Sequence, residues 1–171
     1  MELPGSFYLY ALATLSITFC GFSALITVLR QVSGGSLSRY DAFLMVNYFL
    51  TGFAIAVLCM LPPLFSELST NPDLVWRVPS ALAAIVGVVV QIAALRRRRR
   101  ARDPRESSVI GNLLLVSYWP AFFLLILSAA NILVRPSFGA YAGSLTWVFA
   151  MAGVDYIAAL HLLFRMHNVR A

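Results

Sequence analysis

Five long apolar stretches are the feature that most limits what this chain can fold into. They cover residues 7–29, 42–65, 78–95, 109–134 and 140–164, and short segments rich in Gly, Pro, Ser and Asp separate them. A helix of about 20 apolar residues, rising about 1.5 Å per residue, crosses the roughly 30 Å hydrocarbon core of a bilayer. The pattern therefore predicts an all-α fold: one transmembrane domain, residues 1–171, formed by a bundle of five transmembrane helices.

The composition favours a membrane environment over water. Hydrophobic residues make up 60% of the chain and charged residues 12%, whereas ordinary soluble domains have about 45–50% and about 25%. A soluble fold of this size could not bury so much apolar surface. All 13 basic residues are Arg and none is Lys. This bias is typical of GC-rich bacterial genomes, so the predicted location is the bacterial inner membrane, as a multi-pass protein.

The distribution of arginines predicts the orientation. If the segment between the third and fourth stretches is cytoplasmic, only Arg77 and Arg135 of the 13 arginines fall on the outside. Cytoplasmic loops of membrane proteins carry the excess of basic residues. The N-terminus is therefore predicted outside and the C-terminus in the cytoplasm.

An arginine-rich loop, residues 96–108, is predicted at the cytoplasmic surface. Its arginines are Arg96, Arg97, Arg98, Arg99, Arg100, Arg102 and Arg105. A basic residue near an anionic bilayer surface contributes about 1 kcal/mol of attraction. The loop is too short to hold a nucleic-acid-binding module. We expect it to anchor the topology and to contact anionic lipid headgroups, and we expect no nucleic-acid partner.

Asp155 is the only carboxylate inside a predicted span. It precedes Arg165 by ten residues, which places it about 15 Å from the cytoplasmic boundary, close to the midplane. A charged side chain there costs roughly 2.5–3.5 kcal/mol on insertion scales. No arginine lies inside a span, and His161 is about 120° further round the same helix, so it is a poor direct partner. Asp155 is therefore either protonated and hydrogen-bonded, or ionised in a hydrated crevice.

Other polar side chains are expected near the depth of Asp155. They are Thr51, Ser117 and Tyr118 in the same layer, and Asn47, Gln91 and His161 nearer the cytoplasm. Stripes of polar and small residues also let membrane helices pack closely and hydrogen-bond across their interfaces. Two interpretations stay open: a polar network that holds the helices together, or a proton or cation site that opens toward the cytoplasm.

Prolines predict irregularities in two spans, because each removes a backbone donor and clashes with the preceding turn. Pro62 and Pro63 are expected to end the regular part of the second helix. Pro120 is expected to kink the fourth.

Catalytic chemistry is not indicated. The spans hold neither paired acids nor a nucleophile beside a base. Cys20 and Cys59 lack the spacing of a metal or disulfide motif, and His161 and His167 lie at the cytoplasmic edge, where they cannot stack as haem ligands. We therefore expect no enzyme, no metal and no cofactor.

Two classes of function remain. The favoured one is a non-catalytic membrane protein, a subunit, scaffold or regulator that acts through helix and lipid contacts, with a second copy or another membrane protein as partner. Small-residue pairs such as Gly139 and Gly143, or Ala150 and Gly153, suit such contacts. The alternative is a homo-oligomeric channel or transporter that uses Asp155 as a proton or cation site. Five helices make a thin bundle for a transporter built from paired repeats.

Overall fold

The computed structural model describes residues 3, 5–32, 39–69, 71–101, 113 and 115–168. These residues form five helices: α1 (Ser6–Val32), α2 (Arg39–Leu68), α3 (Pro72–Ala101), α4 (Trp119–Ala130) and α5 (Phe138–Asn168). No β-strand occurs among them. The prediction of an all-α chain with five helices is confirmed for this part of the protein.

Within the described residues, three helices are long and apolar enough to cross a membrane. The segments are Ser6–Ile26, Met45–Leu68 and Asp73–Arg97, with mean hydropathy of 1.8, 2.0 and 2.2. A shorter apolar helical segment covers Leu115–Ala130. Large apolar side chains such as Phe22, Ile85 and Phe123 are exposed on the outside of the bundle. These features are those of a membrane protein.

Consecutive helices pack against each other in opposite directions. Near the start of α3, Arg77 Nε donates to Ala129 O at 2.7 Å, close to the end of α4. Further along α3, Gln91 Nε2 donates at 3.2 Å to Leu115 O, and Leu115 precedes α4. The helices α3 and α4 therefore run in opposite directions.

The rings of Tyr8, near the start of α1, and Trp76, near the start of α3, both contact the ring of Phe138 at the start of α5. The starts of α1, α3 and α5 therefore share one end of the bundle, which we call the Arg77 end. The ends of these three helices share the other, the Arg96 end.

Helix α2 continues through Pro62 and Pro63 to Leu68, so the prediction that these prolines end its regular part was wrong. Pro62 has no N–H to bond Leu58 O, one turn earlier. Tyr141 on α5 supplies the missing donor, because its hydroxyl bonds Leu58 O at 2.7 Å. A freed carbonyl that finds a partner on a neighbouring helix no longer interrupts the helix.

Helix α3 extends to Ala101, so Arg96 to Arg100 belong to the helix and not to the predicted loop 96–108. Arginine is a good helix former, and basic side chains are favoured in the last turns of a helix by its dipole. Arg102 and Arg105 lie outside the described residues.

Within the fourth predicted span, 109–134, the described residues depart from one continuous helix. Its helical run is interrupted at Tyr118, two residues before Pro120, and α4 starts at Trp119. It ends at Ala130 because Asn131 adopts a left-handed conformation with φ of 56°. The N–H of Ile132 then bonds Leu127 O at 3.0 Å, an arrangement that closes a helix.

Candidate polar site and central cavity

A hydrogen bond joins Asp155 to Tyr118. The Tyr118 hydroxyl donates to Asp155 Oδ2 at 2.6 Å, a distance typical of a strong O–H···O bond. Asp155 is half-buried on α5, and it makes other interactions as well. Tyr118 is buried, and it lies at the interruption before α4. Depth counting had placed these two residues in one layer, and the structure brings them into contact.

Ser117 lies next to this pair but contributes its backbone. Its carbonyl accepts a hydrogen bond from Trp147 Nε1 at 2.8 Å. Trp147 is on α5, eight residues before Asp155. Together the two contacts attach the residues that precede α4 to two levels of α5. Sequence analysis did not single out Trp147, although an indole N–H in an apolar segment needs an acceptor.

A cavity of about 40 Å³ lies between α2, α3, α4 and α5. We call it the central cavity. Its polar lining residues are Asn47, Thr51, Gln91 and Tyr118, and the rest of its wall is apolar. Thus four of the predicted site residues line one space. Asp155 and Ser117 are not part of its wall, and the side chain of His161 lies outside the described part of the chain.

The polar groups of the central cavity differ in their hydrogen bonding. Gln91 is 9% exposed and its Nε2 donates to Leu115 O. Thr51 is also 9% exposed. Within the described residues, neither Thr51 nor Asn47 has a side-chain hydrogen bond to the protein. Both side chains line the cavity.

A close approach of α3 and α4 shapes one wall of the central cavity. A Cβ at Gly87 would overlap the ring of Phe122. Only glycine lets the ring lie against α3 at this point. Phe122 is buried and lines the cavity. Gly87 therefore determines how closely this part of the cavity wall approaches α3.

The charge in and around the central cavity is low. Of the lining residues that the structure describes, Tyr118 is the only one with a titratable side chain. In the part of the chain that the structure describes, no group of three or more His, Cys, Asp or Glu residues could hold a metal ion. The arrangement therefore suits neutral hydrogen-bonding groups inside the cavity and one carboxyl group beside it.

The arginines at the end of α3 form a separate cluster. The side chains of Arg96, Arg97 and Arg99 are exposed at the Arg96 end of the bundle. Those of Arg98 and Arg100 lie outside the described part of the chain. At the opposite end, Arg77 is used within the fold, because its bond to Ala129 O closes the last turn of α4.

Comparison with known proteins found no matching family model, no matching curated protein and no matching solved structure. The function must therefore be inferred from the residues themselves.

Proposed function

We propose that the chain is a non-catalytic inner-membrane protein, a subunit, scaffold or regulator that works through helix contacts with a second copy or another membrane protein. The observation that carries this proposal is an open face of small residues on α5. At Gly139, Gly143 and Gly153, no described atom lies within 4 Å of the position that a Cβ would take. In a bilayer such a face lets a partner helix approach closely and gain van der Waals contact.

The proposal includes five spans, with the N-terminus outside and the C-terminus in the cytoplasm. The opposite directions of consecutive helices support it, because they bring the ends of α1, α3 and α5 to one side. The exposed side chains of Arg96, Arg97 and Arg99 stand on that side. In this orientation they reach the cytoplasmic surface, where anionic headgroups attract basic residues.

Photo-crosslinking in native membranes tests the helix contact. A photoreactive amino acid replaces Ala150, which is exposed on α5 near the open face. We expect one defined cross-linked species, and we expect Gly143→Leu to abolish it, because a large side chain holds the partner helix away. Gly21→Leu is the matched control, since Gly21 is also open but lies on α1. In the Gly21→Leu variant, the cross-link at position 150 should persist.

Mass spectrometry of the cross-linked species then distinguishes a second copy from another membrane protein. If the photoreactive residue at position 150 forms no cross-link, the proposal is contradicted. The same conclusion follows if Gly143→Leu and Gly21→Leu reduce the cross-link equally, because the effect would not belong to the face on α5.

A second candidate function is proton or cation transport at Asp155. The observation that favours it is the 2.6 Å bond between Asp155 and Tyr118, since Tyr118 also lines the central cavity. An ionisable residue within a membrane segment marks an ion or proton pathway in many proteins. Asp155 would carry the ion, and Tyr118 would link it to the cavity.

Liposome flux measurements test this second function. The wild-type protein is expected to dissipate a proton or cation gradient, and Asp155→Asn is expected to remove most of that flux, because the amide keeps the shape but cannot ionise. Thr14→Val is the control, because Thr14 is exposed on α1 and its hydroxyl bonds Tyr10 O on the same helix. Absence of flux in the wild type, or equal flux in Asp155→Asn, would rule the transport function out.

A further inference from the structure

We infer that the central cavity is a hydrated site, in which Asn47, Thr51 and Gln91 bind a cluster of about three water molecules next to Tyr118. The inference rests on the geometry of the cavity and does not depend on which of the two proposed functions holds. The volume agrees with it: the cavity measures about 40 Å³, and a buried water needs about 10–15 Å³ of such volume.

The polar residues are gathered in one part of the cavity. On α2, Asn47 is the lining residue nearest the Arg96 end, with Thr51 one turn further on. On α3, Gln91 is the lining residue nearest that end, and Tyr118 stands there before α4. Three elements therefore place amide and hydroxyl groups around the same part of the cavity.

The hydrogen-bonding capacity of these groups exceeds what the protein uses. An Asn side chain has two donor hydrogens and an acceptor oxygen, and a Thr hydroxyl both donates and accepts. Thr51 is nine-tenths buried, and neither it nor Asn47 bonds another described group. Gln91 commits Nε2 to Leu115 O, which leaves its Oε1 as an acceptor. Buried polar groups of this kind are almost always satisfied by the protein or by water.

The chemistry of the wall favours water over an ion or an apolar ligand. Among the described residues, no Asp, Glu, Arg or His lines the cavity, so a bound ion would lack a countercharge from them. Cavities that stay dry are apolar throughout, whereas a water that finds two to four polar partners is retained. Because Tyr118 also donates to Asp155, one hydroxyl separates the proposed water cluster from the carboxyl group.

Water–methyl cross-peaks in NMR spectra of the protein in lipid nanodiscs test the inference. The methyl groups of Ala54 and Val90 line the cavity near Thr51 and Gln91. Ala56 and Val88 are matched controls on the same helices, because they belong to the core or pack against it without lining the cavity. We expect cross-peaks to water at Ala54 and Val90 and none at Ala56 and Val88.

Removing the polar groups should dry the cavity. In Asn47→Leu/Thr51→Val the cross-peak at Val90 should disappear, while the other methyl signals keep their positions. If the double variant does not fold, Thr51→Val alone should weaken the cross-peak, because one hydroxyl is lost at nearly constant volume.

Three outcomes would overturn the inference. The first is the absence of water cross-peaks at Ala54 and Val90 in the folded wild type. The second is equal cross-peaks at all four methyl groups, which would mean general penetration of water. The third is an unchanged cross-peak at Val90 after both polar groups are removed.

Discussion

Tyr141→Phe is expected to lower the free energy of unfolding by about 1–3 kcal/mol, the cost of leaving a buried polar group without its partner. Tyr141 is fully buried, and its hydroxyl bonds Leu58 O at 2.7 Å. In a regular helix the N–H four residues later would bond that carbonyl, but residue 62 is proline. The Tyr141 hydroxyl thus replaces the backbone donor that Pro62 lacks. When the hydroxyl is removed, neither residue 62 nor residue 141 donates a hydrogen bond to Leu58 O.

A double-mutant cycle isolates this effect. Pro62→Ala restores a backbone N–H that can bond Leu58 O within α2. In that background Tyr141→Phe should cost much less than in the wild type, because the carbonyl is no longer dependent on the hydroxyl. The free energy of unfolding is measured for all four proteins in mixed micelles by SDS titration. Tyr10→Phe, at an exposed tyrosine on α1, is the control and should change little.

Equal costs of Tyr141→Phe in the two backgrounds would contradict the prediction. They would mean that α2 passes through Pro62 without help from α5. A cycle is needed here because single substitutions at contacting residues do not add.

Gly52→Ala is expected to destabilise the protein by about 1–3 kcal/mol through overpacking. A Cβ at Gly52 would lie 2.5 Å from Cys20 Sγ and 3.1 Å from Ser16 O. The thiol can turn away, but the carbonyl belongs to the backbone of α1, so α1 and α2 must move apart. The expected sign is the opposite of helix propensity, which favours Ala over Gly by about 1 kcal/mol.

Gly21→Ala is the matched control for this substitution. Gly21 lies on α1, and a Cβ there meets no described atom within 4 Å. The variant should be as stable as the wild type or more stable, by the same SDS titration. Cys20→Ala should recover part of the stability that Gly52→Ala loses, because it removes the nearer of the two obstacles. Equal stability of Gly52→Ala and Gly21→Ala would show that α1 and α2 do not approach each other closely at Gly52.

Local features of the chain were sufficient to predict its helices. In the part of the chain that the structure describes, the number of helices follows from the number of apolar stretches, and their approximate positions follow from the turn residues between them. The main errors concern helix ends. Helix α3 runs on through Arg96 to Arg100, because arginine favours the helix that it follows. Helix α4 stops at Ala130, because Asn131 closes it from a left-handed conformation, which an apolar pattern does not indicate.

The candidate site was only partly predictable. Counting residues from the predicted boundary gives depth, and depth alone brought Tyr118 to the level of Asp155 and grouped Asn47, Thr51 and Gln91. Depth could not show that Asn47, Thr51 and Gln91 line one cavity together with Tyr118, or that Asp155 lies outside the wall of this cavity. It also could not show that Trp147 would bond Ser117 O, or that Tyr141 would bond Leu58 O.

The sequence by itself therefore predicted the all-α fold class and grouped the polar residues by their positions along the helices, since both depend on apolar length and on rise per residue. Only the tertiary structure decided which faces meet, and with them the Asp155–Tyr118 bond, the cavity and the continuation of α2 through Pro62. The physical reason is that lipid is as apolar as the interior of a helix bundle. Apolar periodicity then does not show how each helix is rotated, and close packing of particular side chains decides it.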